Sequence, residues 1–141
     1  MDLPVLILAY KRPKHLTKLI ETLKKIKPKY LYISVDGPKK SNPLDKELVK
    51  QTKEVIERNI NWDCTIKKKY NVKNLGCKMG VSSAISWFFD HINEGIILEE
   101  DCLLHEDFYK FAEQLLEFYR DNKQIWTITS NNLQKNQWRG D

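Results

Sequence analysis

The sequence lacks the segments that mark membrane-spanning, secreted and disulfide-stabilised proteins. Its longest apolar run, Leu3 to Tyr10, is far shorter than the about 20 residues of a spanning helix. No charged n-region or cleavage site precedes that run, so no signal peptide is expected. Three cysteines without a C-x-x-C pair disfavour a disulfide framework and a structural zinc site. These absences favour the cytoplasm, with peripheral attachment to the inner membrane left open.

Glycine is scarce as well, and its spacing excludes the familiar phosphate-binding loops. The segment Asn74 to Gly80 has neither the G-x-x-x-x-G-K spacing of a P-loop nor the G-x-G-x-x-G of a dinucleotide fold. We therefore interpret it as a loop whose backbone lies close to a ligand or to a neighbouring helix. The cysteines, including Cys77 in this segment, are expected to be small buried apolar side chains.

What is present is an alternation of two apolar periods along 141 residues, a length typical of one domain. Strands are predicted at residues 4–9, 30–35, 63–69, 95–98 and 124–129. Helical apolar spacing separates them, and residues 71–80 are predicted to form a loop. The order β-α-β-α-β-α-β-α-β predicts an α/β fold of three layers, α/β/α, with a mostly parallel sheet.

Ligands of open parallel sheets bind beyond the carboxyl ends of the strands, and these ends are polar in this sequence. The residues that follow the predicted strands are Tyr10, Lys11 and Arg12, then Asp36, then 71–78, then Glu99, Glu100 and Asp101, then 130–132. A set of purely structural loops would not require charge at nearly every strand end. We therefore expect the functional site at this edge of the sheet.

Three consecutive carboxylates, Glu99, Glu100 and Asp101, are the most informative feature of that edge. Crowded negative charge is unfavourable unless a cation neutralises it. Carboxylate oxygens favour Mg²⁺ or Mn²⁺ over zinc. The alternative interpretation is a solvated acidic turn that opens the next helix, where carboxylates interact favourably with the helix dipole.

Arg12 and Asp36 also have two interpretations each. Arg12 with Pro13 is either a basic helix start or a planar donor for a phosphate or a base. Asp36 before Gly37 is either a turn former or a hydrogen-bonding partner of a base or a ribose.

Four segments in order carry a family resemblance. They are Val5 to Pro13, Ser34 to Gly37, Asn74 to Cys77 and Ile97 to Cys102. Together they resemble nucleotide-sugar glycosyltransferases of the GT-A fold, in particular the N-acetylglucosaminyltransferase-I-like group and its bacterial relatives. The resemblance covers the chain from Pro4 to about Asn132.

The resemblance implies a role for each matching residue. Arg12 and Asp36 would contact the nucleotide, usually the uracil of UDP. Asp101 would bind the Mn²⁺ or Mg²⁺ ion that bridges the diphosphate, while Glu100 and Glu99 would face the ribose and the donor sugar. Further residues expected in the nucleotide-sugar site are Ala9, Tyr10, Asn74 and Lys78.

The chain departs from the family in its length, because the family's catalytic domain is considerably longer. Its second half carries the acceptor site and the carboxylate that deprotonates the acceptor hydroxyl. Residues 1–141 are therefore expected to be a single, truncated donor-binding domain that lacks the acceptor-binding half. Inverting transfer from a UDP-sugar to a glycan or lipid-linked glycan is expected of the full-length protein, with the catalytic base beyond Asp141.

Two other functions stay open at this point. One is a non-catalytic module that binds a nucleotide sugar, which would show the same donor residues without a base. The other is a basic nucleic-acid-binding domain, suggested by a net charge of +5. We interpret the basic residues as spread along the chain, and no RRM, KH or zinc-finger signature is present. No nucleic-acid partner is therefore expected, and the oligomeric state is not indicated.

Overall fold

Strands and helices alternate in the computed structural model, which describes residues 2–105 and 107–130. The strands are β1 (Val5–Ala9), β2 (Tyr30–Val35), β3 (Thr65–Tyr70) and β4 (Ile96–Glu99). The helices are α1 (Pro13–Ile26), α2 (Pro43–Asn59), α3 (Gly76–Phe89) and α4 (Phe108–Phe118). The chain divides into two compact units, Met1–Glu106 with the sheet and α1 to α3, and Asp107–Asp141 with α4. That residues 1–141 act as one domain stays a prediction.

The sheet has four strands in the order β3-β2-β1-β4, and every neighbouring pair is parallel. The central strand β1 is buried on both faces, with Val5, Leu6 and Ile7 fully inaccessible. A strand covered on both faces has no polar positions to alternate with, which explains its continuous apolar run. The predicted α/β class with a mostly parallel sheet is confirmed.

Helices α1, α2 and α3 flank both faces of this sheet. Leu6 and Tyr32 are register partners on β1 and β2, and they share a core cluster with Phe88 of α3. Helices α1 and α2 pack against each other. Helix α1 connects β1 to β2 and α2 connects β2 to β3, whereas α3 connects β3 to β4, which lies on the other side of β1. Because such crossovers are right-handed, α1 and α2 cover the face opposite α3, which is compatible with three layers.

Helix α3 begins inside the segment predicted to be a loop. The prediction of a loop over residues 71–80 is wrong from Gly76 onward. No local side chain caps this helix, and the carboxylate of Asp36 instead accepts hydrogen bonds from the backbone N–H groups of Leu75 and Gly76. A cap supplied by a residue 40 positions earlier leaves no local signal at the helix start.

The predicted fifth strand over residues 124–129 is absent from the described structure, and this prediction is wrong. The backbone there forms local turn bonds, from the N–H of Ile125 to the carbonyl of Asn122 at 3.1 Å and from that of Gln124 to the Asn122 side chain. The indole N–H of Trp126 donates to the carbonyl of Lys123 at 2.8 Å. Alternating apolar residues form a strand only where a ladder partner is available.

Candidate functional site

A cleft of about 400 Å³ lies at the carboxyl ends of the strands, where the strand order reverses between β1 and β4. Reversal of the strand order opens a crevice at that edge, and this is where parallel α/β sheets bind ligands. The cleft is lined by Leu8, Ala9, Tyr10, Lys11, Arg12, Ser34, Asp36, Lys39, Asn74, Gly76, Cys77, Gly80, Val81, Glu99 and Glu100. Backbone bonds that continue the ladder hold its rim, from Asp36 N–H to Ala9 O at 3.0 Å and from Glu100 N–H to Leu8 O at 2.9 Å.

Most of the predicted site residues meet in this cleft. Those that line it are Ala9, Tyr10, Arg12, Asp36, Asn74, Glu99 and Glu100. Lys78 does not line it, and its side chain is exposed on α3. Asp101 lies next to the cleft, where it forms an ion pair with Arg12. Their predicted contacts with a nucleotide, a sugar or a metal stay predictions.

The carboxylate of Asp36 accepts hydrogen bonds from the residues that form one wall of the cleft. Its oxygens accept hydrogen bonds from the side-chain amides of Asn71 and Asn74 at 3.1 and 3.0 Å. Backbone N–H groups of Gly37, Leu75 and Gly76 donate to it at 2.9 to 3.2 Å. A carboxylate offers about four lone-pair sites, so this set uses its capacity.

The close fit of this wall also depends on Gly37. A Cβ atom at position 37 would overlap the backbone of Lys73, so only glycine is accommodated there. The loop from Asn71 to Gly76 is therefore fixed to the end of β2 by hydrogen bonds and by close packing. This loop and the first turn of α3 form one side of the cleft.

A buried carboxylate behind the cleft was missed by the sequence reasoning. Asp45 is fully inaccessible to solvent and accepts hydrogen bonds from the hydroxyl of Tyr10 and from Lys11 Nζ at 2.7 Å. Asn42 Nδ2 and the backbone N–H of Lys39 also donate to it, at 2.9 and 3.2 Å. The sequence held a signal, because Asn42-Pro-Leu-Asp45 places an acid three residues after an N-cap.

These contacts fix the ionisation of the cluster. The hydrogen bonds from Lys11 and Tyr10 lower the pKa of Asp45 to about 2, although burial opposes this shift. Burial and the hydrogen bond to Asp45 raise the pKa of Tyr10 to about 12. Tyr10 therefore stays protonated as a donor, and Asp45 balances the charge of Lys11 at the cleft edge.

Glu100 connects the end of β4 to the end of β1. It is 7% exposed, and its Oε2 accepts a hydrogen bond from the backbone N–H of Tyr10. Arg12 Nε lies 3.8 Å from its other oxygen. Burial raises the pKa of Glu100, while the Tyr10 hydrogen bond and the positive charge of Arg12 oppose that rise.

Glu99 and Asp101 are accessible at the same strand end. Both residues are exposed, and Asp101 Oδ2 lies 2.5 Å from Arg12 Nη1. Within residues 2–105 and 107–130, no three His, Cys, Asp or Glu side chains are grouped closely enough to hold a metal ion. The described side chains therefore offer carboxylate oxygens at this point without a closed coordination shell.

Cys77 provides a thiol inside the cleft. It lies in the first turn of α3 and is exposed, so the expectation of a buried cysteine is wrong at this position. Cys64 and Cys102 are partly buried, and burial raises the pKa of both thiols.

Comparisons of the chain with family models, with curated proteins and with solved structures found no match. The resemblance to GT-A glycosyltransferases therefore stays a prediction based on the sequence motifs. In the part of the chain that the structure describes, no helix is both long and apolar enough to cross a membrane.

Proposed function

We propose that this chain is the donor-binding part of a nucleotide-sugar glycosyltransferase of the GT-A type. The cleft would bind a UDP-sugar, with Arg12 and the carboxylates after β4 contacting its charged and hydroxyl groups. Acceptor binding and the catalytic base are assigned to protein outside residues 1–141. The proposal therefore gives this chain donor binding with little or no transfer of its own.

One observation carries this proposal. Arg12, which follows β1, lies beside Glu100 and Asp101, which follow β4, at the point where the strand order reverses. Guanidinium binds phosphate through paired N–H donors, and carboxylates accept hydrogen bonds from sugar hydroxyls. A volume of about 400 Å³ is within the range of small-molecule sites.

Asp36 takes a positioning role in this proposal. Its carboxylate already accepts the N–H groups at the start of α3, which is where a phosphate would otherwise bind. The diphosphate is therefore assigned to Arg12 and Lys39, the two basic side chains of the cleft besides Lys11, which pairs with Asp45. The predicted contact of Asp36 with the base would need one of its present bonds to be exchanged.

The carboxylate oxygens of the acidic triplet are the type of ligand that a hard divalent cation prefers. The described residues do not supply enough of them to complete the coordination of the ion. Asp101 is 41% exposed and supplies carboxylate oxygens, which Mg²⁺ and Mn²⁺ prefer. Such ions bind through one or two carboxylates together with substrate phosphates and water. When bound, the ion would stabilise negative charge on the departing diphosphate. We therefore expect metal binding only together with the nucleotide.

The thiol of Cys77 gives a direct test of occupancy, because it lines the cleft and is exposed. A thiol reagent should label Cys77 before the two partly buried cysteines. UDP with Mn²⁺ at ten times its Kd should slow this labelling about tenfold, since only the free protein reacts. Cys77→Ser is the control that identifies the labelled site. Unchanged labelling of Cys77 at saturating UDP and Mn²⁺ would contradict the proposal.

A further inference from the structure

Ser34 is a buried polar residue whose side chain has no partner among the residues that the structure describes. The buried polar or charged residues of that part of the chain are Ser34, Asp45, Thr52 and Glu100. Asp45 and Glu100 accept the hydrogen bonds given above, and the hydroxyl of Thr52 donates to the carbonyl of Leu48 at 2.9 Å. Ser34 is 4% exposed, and its hydroxyl forms no hydrogen bond with any described residue. Because buried polar groups are normally paired, this hydroxyl is available to a bound ligand.

The fold places Ser34 in the cleft, on the side of the sheet that α3 covers. Ser34 lies two residues after Tyr32 on β2, so both side chains face the side on which Tyr32 packs with Phe88. Its register partner on β1 is Leu8, which packs against the same cluster. Both Ser34 and Leu8 line the cleft. The hydroxyl of Ser34 is therefore presented to the space between the end of the sheet and the first turns of α3.

Ser34 belongs to an uncharged part of the cleft lining. We call five uncharged residues that line the cleft here the Ser34 recess, namely Leu8, Ser34, Gly76, Gly80 and Val81. Gly76 and Gly80 lie about one turn apart on α3 and contribute backbone without a side chain. Lys69, the register partner of Ser34 on β3, donates to the carbonyl of Ser83 and does not line the cleft. An apolar recess with one hydroxyl suits a flat, uncharged ring with a polar edge.

Arg12 and the accessible carboxylate of Glu99 lie toward the other edge of the same cleft. Arg12 follows β1 and Glu99 ends β4, whereas Ser34 belongs to β2. Neighbouring strands are about 4.8 Å apart, so β2 and β4 lie about 10 Å apart with β1 between them. A nucleotide has the same distribution of chemistry, with an uncharged ring at one end and phosphates at the other.

We infer that Ser34 binds the base of the nucleotide, with its hydroxyl hydrogen-bonded to the polar edge of the ring. A hydroxyl both donates and accepts, so it can pair with the ring N–H or with a carbonyl of uracil. Asp36, which the family resemblance assigns to the base, has its acceptor sites filled by the chain itself. The inference rests on the proposed function and replaces Asp36 by Ser34 as the residue that contacts the base.

Titrations of the full chain with uridine and with UDP in the presence of Mg²⁺, followed by NMR, test this inference. Ser34→Ala should weaken the binding of both ligands about fivefold, which is the loss expected for one hydrogen bond. Lys39→Gln should weaken the binding of UDP alone, because uridine has no phosphate. Ser86→Ala, at an exposed position of α3 outside the cleft, is the matched control and should leave both affinities unchanged.

The stability of the free protein separates a ligand contact from a structural role. Because the Ser34 hydroxyl has no partner among the described residues, Ser34→Ala should keep the melting temperature of the unmodified chain without ligand. Ser34→Cys keeps a side chain of similar shape with a weak donor, so it should lose affinity as Ser34→Ala does. A clear fall in the melting temperature of Ser34→Ala, or affinities equal to those of the unmodified chain, would overturn the inference and leave the proposed function standing. No binding of UDP to the unmodified chain would overturn both.

Discussion

The carboxylates at the ends of β2 and β4 face the same cleft but differ in how far the protein already uses them. Asp36, after β2, accepts hydrogen bonds from two asparagine side chains and three backbone N–H groups. Glu99 and Asp101, at the end of β4, are exposed, and Arg12 is the basic partner of Asp101. The acceptor sites of the carboxylate after β2 are thus filled by protein donors, whereas the carboxylates of Glu99 and Asp101 at the end of β4 are accessible to a ligand.

Because of this difference, charge at a strand end does not by itself identify a binding residue. A carboxylate whose acceptor sites are filled contributes to stability, because its removal leaves several donors without partners. A carboxylate with accessible oxygens contributes little to stability and remains open to a ligand. Substitutions should therefore separate the two ends by their effect on folding and on binding.

The largest effect on stability is expected for Asp36→Ala. It removes the acceptor of Leu75 and Gly76 at the start of α3 and should lower the free energy of unfolding by about 3 kcal/mol. Asp101→Ala is the comparison at the accessible end and should change it by less than about 1 kcal/mol. Urea unfolding of both variants measures the difference. Similar losses in the two would remove the distinction between the strand ends.

The next effect concerns Asp45 and its dependence on pH. Because folding lowers the pKa of Asp45 from 3.8 to about 2, its ionised form stabilises the fold. This stabilisation is complete above pH 4 and is lost as the pH falls toward 2. Asp45→Asn should therefore be less stable than the unmodified chain at neutral pH. The gap in melting temperature should close between about pH 4 and pH 2. A gap that stays constant over that range would disprove the charged role of Asp45.

A smaller effect is expected for the lysines around the cleft. Lys39 lines the cleft, whereas Lys78 does not. Lys39→Gln should weaken UDP binding about threefold to fivefold, as expected for an exposed cation near a phosphate. Lys78→Gln should leave the affinity unchanged. Titration calorimetry measures both, and the reverse order would show that the sequence-based assignment of Lys78 was right.

Sequence patterns predicted the parts of the fold that depend on local or continuous signals. The buried strands β1 and β2 follow from apolar runs, and the start of α2 follows from Asn42 and Pro43. The start of α3 could not be predicted, because its cap, Asp36, comes from a distant strand. The strand expected at 124–129 failed because alternation alone does not supply a partner strand.

For the site as well, the sequence predicted features that follow from local or continuous signals and missed those that depend on distant residues. The rule for strand ends brought Arg12 and Glu100 together correctly, since parallel strands share one carboxyl edge. That rule does not reveal which carboxylates are saturated, because the partners of Asp36 come from a loop far along the chain. Asp45 was missed because its partners Tyr10 and Lys11 lie more than 30 residues earlier.

Thermal unfolding with UDP and Mn²⁺, each alone and together, tests the central claim most directly. Ligands at 100 times their Kd stabilise the native state by about 2.7 kcal/mol. We predict that the melting temperature of the unmodified chain rises on the order of 10 °C with both ligands together. Asp101→Asn, an exposed substitution, should keep its melting temperature without ligand and lose this rise. An equal rise in the unmodified chain and in Asp101→Asn, or no rise in either, would contradict a nucleotide-sugar site at this cleft.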